Sequence, residues 1–181
     1  MSQLYVVTGG PSTGKTLTLG YLERRGFYVV YEAARIIIDE DMAKGRSLAE
    51  IRADEIAFQR RALEMKIEVE KTVPRDRTVF LDRGVPDSVP YLQVCSVDVM
   101  DEVKQILGDQ KRYRRVFLME HIGFKGDYAR TEDGYKSRLL SRLLKEVYQE
   151  LGYDVVDVPP LPAGSVEASI IQRGEFILKS L

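Results

Sequence analysis

The chain has 181 residues, 44% hydrophobic and 30% charged, with a formal net charge of -1. That length and apolar content suit a single soluble globular domain spanning residues 1–181, with a substantial core. The balanced charge excludes a globally basic nucleic-acid surface, the single cysteine excludes an internal disulfide and suits a reducing compartment, and no apolar run is long enough to span a bilayer.

In chain order, an apolar run, Leu4–Thr8, reads as the first strand. No signal peptide precedes it, so the cytoplasm is the expected location. The next eight residues, Gly9-Gly10-Pro11-Ser12-Thr13-Gly14-Lys15-Thr16, fit the pattern G-x-x-x-x-G-K-[ST]. A helical pattern follows from Leu17 to Arg25, which places the motif in the strand–loop–helix context that a phosphate-binding loop needs. Glycines allow backbone N–H groups to turn inward around phosphates. The loop also ends on a helix N-terminus, where free N–H groups and the dipole favour an anion. Lys15 would reach the β- and γ-phosphates, and the Thr16 hydroxyl would ligate Mg²⁺. The loop points to a nucleoside triphosphate, ATP with GTP as the alternative, and to Mg²⁺ as the accompanying ion.

Gly26 stands at a C-cap position, and Phe27–Tyr31 reads as strand two, followed by a helix from about Ala33. Ser47-Leu48-Ala49-Glu50 has the form of a capping box opening one long helix to Thr72. Ile51, Phe58, Ala62, Met65 and Val69 keep helical spacing along it, with Ile56, Leu63 and Ile67 as a second stripe that suits core on both sides. Strand three is Thr78–Leu81, followed by helical stretches near Asp87–Val94 and Val97–Leu107. Strand four is Arg115–Met119, and the polar segment His121–Asp133 reads as a loop. Tyr135, Leu139, Leu143 and Val147 form the expected inner stripe of the next helix, which Gly152 ends. Strand five is Tyr153–Val158, followed by prolines and a helix from about Ser165. Alternating strands and helices predict an α/β fold, a parallel sheet with helices on both faces.

Ligands of such sheets sit outside the carboxyl ends of the strands, and chemistry-bearing residues follow several of them. Glu32 follows strand two, placed to face the γ-phosphate as base toward an acceptor hydroxyl, or simply to favour a helix N-terminus. Asp82-Arg83-Gly84 follows strand three; Asp82 would hold Mg²⁺ directly or through water, and Arg83 would clamp a phosphate or the acceptor. Asp87 reads equally as a cap or an acceptor contact. After strand four come Lys125, Asp127 and Arg130, then Lys136, Arg138 and Arg142. A basic loop closing over the triphosphate would exclude water and neutralise charge, with Arg130 as its principal cation, while Lys136 and Arg142 suit a solvated face. His121, the single histidine, reads as a structural residue, since no Cys or His partner accompanies it. The stretch from Pro159 would pack against the nucleotide base, or form a plain turn.

Together these segments resemble the compact P-loop family labelled AAA-type domain 28, which includes kinase domains of the nicotinamide-riboside type. The resemblance rests on Val7–Thr16, Glu32-Ala33-Ala34-Arg35, Phe58-Gln59, Phe80–Gly84 with Asp87 and Tyr91, Asp127–Glu132, and Leu151–Pro159. The layout is also similar to nucleoside, nucleotide and polynucleotide kinases. It implies five strands in the order 2-3-1-4-5. The sequence departs from the family pattern at Tyr128 and His121, where glycine and proline are common.

The expected activity is ATP- and Mg²⁺-dependent phosphoryl transfer to a nucleoside, a nucleotide or a nucleic-acid 5′-hydroxyl. Lys15 and the loop amides would hold the triphosphate, Glu32 or Asp82 would orient or deprotonate the acceptor, and Arg83 and Arg130 would steady developing charge. The alternative is an ATP- or GTP-hydrolysing switch with no small-molecule acceptor. The usual guanine-reading Asn/Thr-Lys-x-Asp motif is absent, and the chain has no asparagine. No amphipathic basic segment indicates a membrane partner.

Overall fold

The computed structural model describes residues 3–108, 111–121, 131–160 and 164–181, with backbone alone for 131–134. The elements alternate as expected. Strand β1 (Gln3–Thr8) leads to α1 (Lys15–Arg24), then β2 (Tyr28–Val30) to α2 (Ala33–Ala43), α3 (Leu48–Ile51) and α4 (Glu55–Thr72). Strand β3 (Thr78–Asp82) runs through a tight turn into α5 (Ser88–Val94) and α6 (Met100–Leu107). Strand β4 (Arg115–Met119), α7 (Thr131–Glu150), β5 (Val155–Val158) and α8 (Val166–Lys179) complete the described chain.

The five strands pair in parallel in the order β2-β3-β1-β4-β5. Helices cover both faces, which is why the central strands are apolar at nearly every position. One face buries Tyr5, Val7, Phe80 and Phe117 against Leu19 and Leu22 of α1 and Ile177 of α8. The other buries Leu4, Val6, Val79 and Leu81 against Tyr113, Tyr148 and Tyr153. The direction in which strands are added reverses at β1: β2 and β3 lie on one side of it, β4 and β5 on the other. A crevice therefore opens at the carboxyl end of β1, where the phosphate loop sits. Among the described residues, no helix is long and apolar enough to cross a membrane.

Two local expectations are corrected. The helix expected from Ser47 to Thr72 breaks after one turn. Ser47 and Glu50 do form their reciprocal capping box, but Asp54 then starts a second helix by accepting the Ala57 amide at 2.9 Å. A capping aspartate competes with helix continuation, so the chain restarts there. The two stripes of α4 both enter core, Phe58 and Ala62 in a cluster with Ile37, and Leu63 in one with Val89 and Leu92, while Ile56 stays exposed. In α7 the buried line runs through Ser137, Leu144, Val147 and Tyr148, and Tyr135 is 65% exposed. The inner face is rotated from the apolar stripe because its first turns meet the phosphate loop, which asks for hydroxyls.

Candidate active site

The phosphate loop spans Gly9–Thr16 between β1 and α1. Gly14 holds a left-handed backbone (φ 84°) and stands at the N-cap of α1 without a side-chain cap, so the first-turn amides remain available to an anion. Gly10 has no room for a side chain: an added Cβ would lie 2.2 Å from the Ser137 carbonyl oxygen. That contact belongs to a clasp from α7. The Gly10 amide donates to Ser141 Oγ at 2.8 Å, and Ser137 Oγ donates to the Pro11 carbonyl at 2.8 Å. Gly10→Ala is expected to lower unfolding stability by about 1–3 kcal/mol through overpacking and to weaken triphosphate binding. Thermal melts with and without ATP check both effects.

A second clasp comes from α8. Arg173, 1% exposed, donates through Nη1 to the Thr13 carbonyl at 2.7 Å. Its Nη2 donates to the carbonyls of Glu120 at 2.8 Å and Val158 at 3.0 Å. One guanidinium thus ties the loop to the ends of β4 and β5. Burial lowers its pKa to about 10.

Within the loop, the Lys15 ammonium donates to the carbonyls of Gly9 (3.0 Å) and Gly10 (2.8 Å) and to Thr13 Oγ1 (3.3 Å). Burial, and next the charge of Arg83, lower its pKa to about 7, against Asp82, Glu32 and Asp87. Thr16 Oγ1 lies 3.5 Å from Asp82 Oδ2. The other oxygen, Asp82 Oδ1, is buried without a hydrogen-bond partner among the described residues. Burial, and next the charge of Glu32, raise the Asp82 pKa to about 6. A hydroxyl beside an unsatisfied carboxylate oxygen, at the foot of a phosphate loop, is a donor set that fits Mg²⁺.

Beyond Asp82 the chain turns through Arg83, whose backbone is left-handed (φ 72°). That turn sends its side chain back under the site. Nε donates to Glu32 Oε1 at 2.7 Å and Nη1 to Asp87 Oδ1 at 3.2 Å, with the guanidinium stacked 5.2 Å over the Tyr91 ring. Asp87 is completely buried and saturated: Thr8 Oγ1 donates at 2.5 Å, Tyr148 OH at 2.5 Å and the Gly84 amide at 3.1 Å. Glu32 occupies the N-cap of α2, immediately after β2. Burial alone would raise its pKa, but the charge and hydrogen bond of Arg83 outweigh it and hold the carboxyl below its ordinary range.

The structure therefore brings Lys15, Thr16, Glu32, Asp82 and Arg83 to one end of the sheet. Pro159 directly follows Val158, whose carbonyl Arg173 holds. Lys125, Asp127 and Arg130 lie outside the described residues. Lys136, Arg138 and Arg142 are exposed, as a solvated face requires, and His121 is partly buried. Three contributions were not read from the sequence: Arg173, the serines of α7, and Lys66. Lys66 is buried on α4 and donates to Ser88 Oγ at 2.9 Å. Each is a polar residue turned inward, which hydropathy alone assigns to solvent.

The family profile described as AAA domain (AAA_28) matches residues 4–168. The chain belongs to that family. Its five strands stand in the order that the resemblance implied. No curated protein matches this AAA_28 chain in sequence. Solved structures share its fold. The NadR protein in complex with NR superposes with a TM-score of 0.68 at 17% identity, covering 98% of this chain and 50% of that one. This chain thus spans about half the length of that protein. Deoxyadenosine kinase from M. mycoides with bound dATP gives 0.64 at 12% identity, covering 98% of both chains. Thymidylate kinase from Ehrlichia chaffeensis gives 0.61 at 13% identity, covering 99% of this chain and 98% of that one.

Proposed function

We propose that this chain is a phosphotransferase that moves the γ-phosphoryl group of ATP, with Mg²⁺, to a nucleoside, a nucleotide or a nucleic-acid 5′-hydroxyl. The observation that carries the reading is Glu32. Binding a triphosphate needs the loop, Lys15 and a metal site. It does not need a second carboxylate at the neighbouring strand end, held ionised by a buried arginine 2.7 Å away. A kinase does need one, to receive and orient the acceptor.

In this reading the loop amides and Lys15 hold the phosphates. Thr16 and Asp82 would hold Mg²⁺, which would supply positive charge against the phosphates. Glu32 accepts the hydrogen bond of the acceptor hydroxyl and takes its proton. The acceptor oxygen bonds to the γ-phosphorus as the bond to the β–γ bridging oxygen breaks, and ADP leaves. The transition state of such transfers is loose, so placement and charge matter more than base strength. Arg83 acts by fixing Glu32, and Arg130 is assigned to steady developing charge. The reading includes a cytoplasmic location and a single domain over residues 1–181 as proposals.

The test is transfer from γ-labelled ATP and GTP to nucleosides, nucleotides and 5′-hydroxyl oligonucleotides. Label on one acceptor class is expected. Free phosphate alone with every acceptor would sink the kinase reading in favour of a hydrolytic switch. In Glu32→Gln, kcat is expected to fall roughly a hundredfold or more while ATP affinity holds; unchanged kcat removes Glu32 as base.

A further inference from the structure

Between α2 and α4, at the carboxyl ends of β2 and β3, lies a recess with an apolar wall (Val30, Ala33, Leu81) and a polar end (Lys66, Asp82, Arg83). The charged groups there are unequally satisfied. Glu70, at its margin, already accepts from Tyr113 OH at 2.8 Å, Arg112 at 3.1 Å and the Val85 amide at 3.3 Å. Asp82 faces Thr16. Arg83 spends Nε on Glu32 and Nη1 on Asp87, leaving Nη2 without a partner among the described residues. Lys66 is 8% exposed, yet it forms no ion pair with a described residue and has one neutral partner, the Ser88 hydroxyl. Two of its three donors remain, and Arg83 lies close enough to oppose its charge. Asp87, Glu32 and Glu70 support that charge only from beyond contact distance.

A buried ammonium is costly unless an anion meets it. Two neighbouring cations with spare donors line one recess of about 10 Å³, room for a single oxygen-sized group, where an anionic oxygen would bind by charge-assisted hydrogen bonds. We propose that Lys66, with the free edge of Arg83, receives an anionic group on the acceptor, a phosphomonoester or a carboxylate, so that charged acceptors are selected over neutral ones. The inference rests on the kinase reading for the word acceptor, but its binding test does not.

The experiment measures calorimetric binding of four nucleosides, their 5′-monophosphates and their 5′-carboxylates, without triphosphate. Wild type is compared with Lys66→Met, Lys66→Gln and Lys66→Arg. The anionic forms are expected to bind wild type more tightly than the neutral nucleosides, and comparison of monophosphate with carboxylate identifies the group. Lys66→Met is expected to weaken the anionic forms roughly tenfold to a hundredfold, to leave neutral nucleosides unchanged, and to be rescued by Lys66→Arg. Melting curves show which variants fold; if the methionine variant does not, the glutamine variant carries the same expectation. A residue that merely supports Ser88 would shift melting without shifting selectivity. Equal binding of neutral and charged forms, equal loss of both in the variants, or binding of none overturns the proposal. Selective binding without phosphoryl transfer keeps it and removes the kinase reading instead.

Discussion

Arg83→Met is expected to lower unfolding stability by about 3–5 kcal/mol, the usual cost of removing one member of a buried ion-pair network. The side chain of Arg83 is 5% exposed and that of Asp87 0%, with Glu32 at 30%, so little solvent can compensate the carboxylates left behind. Burying two such groups unpaired is what destabilises the variant, more than the loss of two hydrogen bonds. The effect depends on pH with a definite sign. In the wild type, Glu32 is held below its ordinary value of 4.5, so its contribution is present above that pH and is lost as pH falls through the folded value. In the variant, burial remains and the opposing arginine is gone, which raises the Glu32 pKa. The gap between the two proteins is therefore widest above the variant's raised pKa and narrows as pH falls from there through the wild type's lowered value. Urea titrations at several pH values, together with transfer assays on the folded fraction, check it. A gap independent of pH would mean that Arg83 acts by packing alone. Loss of stability with transfer intact would remove Arg83 from the positioning of Glu32.

The parts of this site that the sequence discloses are those whose physical requirement is local. A phosphate loop needs glycines, a lysine and a hydroxyl in a short run after a strand, so Gly9–Thr16 is legible without any neighbour. Strand ends are legible for a similar reason: runs buried on both faces are apolar and stop where polar residues begin, which sets off Glu32 and Asp82. The exchange that fixes Arg83 is not local. It requires a left-handed turn at an arginine and a buried aspartate one helical turn on, held by Thr8 and Tyr148 from distant segments. Asp87 read equally well as a cap, because a carboxylate early in a helix has a sufficient local explanation.

Inward-facing polar residues were hidden for a different reason. Amphipathic reading assigns apolar residues inward, so it placed Tyr135 inside α7 and overlooked Ser137 and Ser141. Those serines are inward because the loop they meet presents a free amide and a free carbonyl. Arg173 is the extreme case. It occupies an ordinary position on an ordinary helix, and its burial makes sense only once three carbonyls from three segments converge on it. The break between α3 and α4 was legible in principle, since Asp54 is a good N-cap, but the apolar spacing on either side masked it.

Lys15→Ala is expected to leave the fold intact and to weaken triphosphate binding by roughly a hundredfold, the scale of charge-assisted contacts to phosphate. Ligand stabilisation makes the loss readable. With ATP at about 100 times the wild-type Kd, the wild type should gain about 2.7 kcal/mol, and a variant bound a hundredfold more weakly only about 0.4 kcal/mol. The ligand-free variant carries its own signature. The folded-state pKa of Lys15 is lowered from 10.5 to about 7, so between those pH values the unfolded chain holds a proton that the folded chain has released. Stability from this residue therefore rises with pH across that window, and Lys15→Ala should remove that part of the slope. Phosphate oxygens reverse the effect by favouring the charged ammonium. Triphosphate binding above about pH 7 should accordingly take up a proton in the wild type and not in the variant. Calorimetry in two buffers of different ionisation enthalpy measures that uptake directly. Equal proton uptake by both proteins would show that Lys15 is not the group that answers the phosphates.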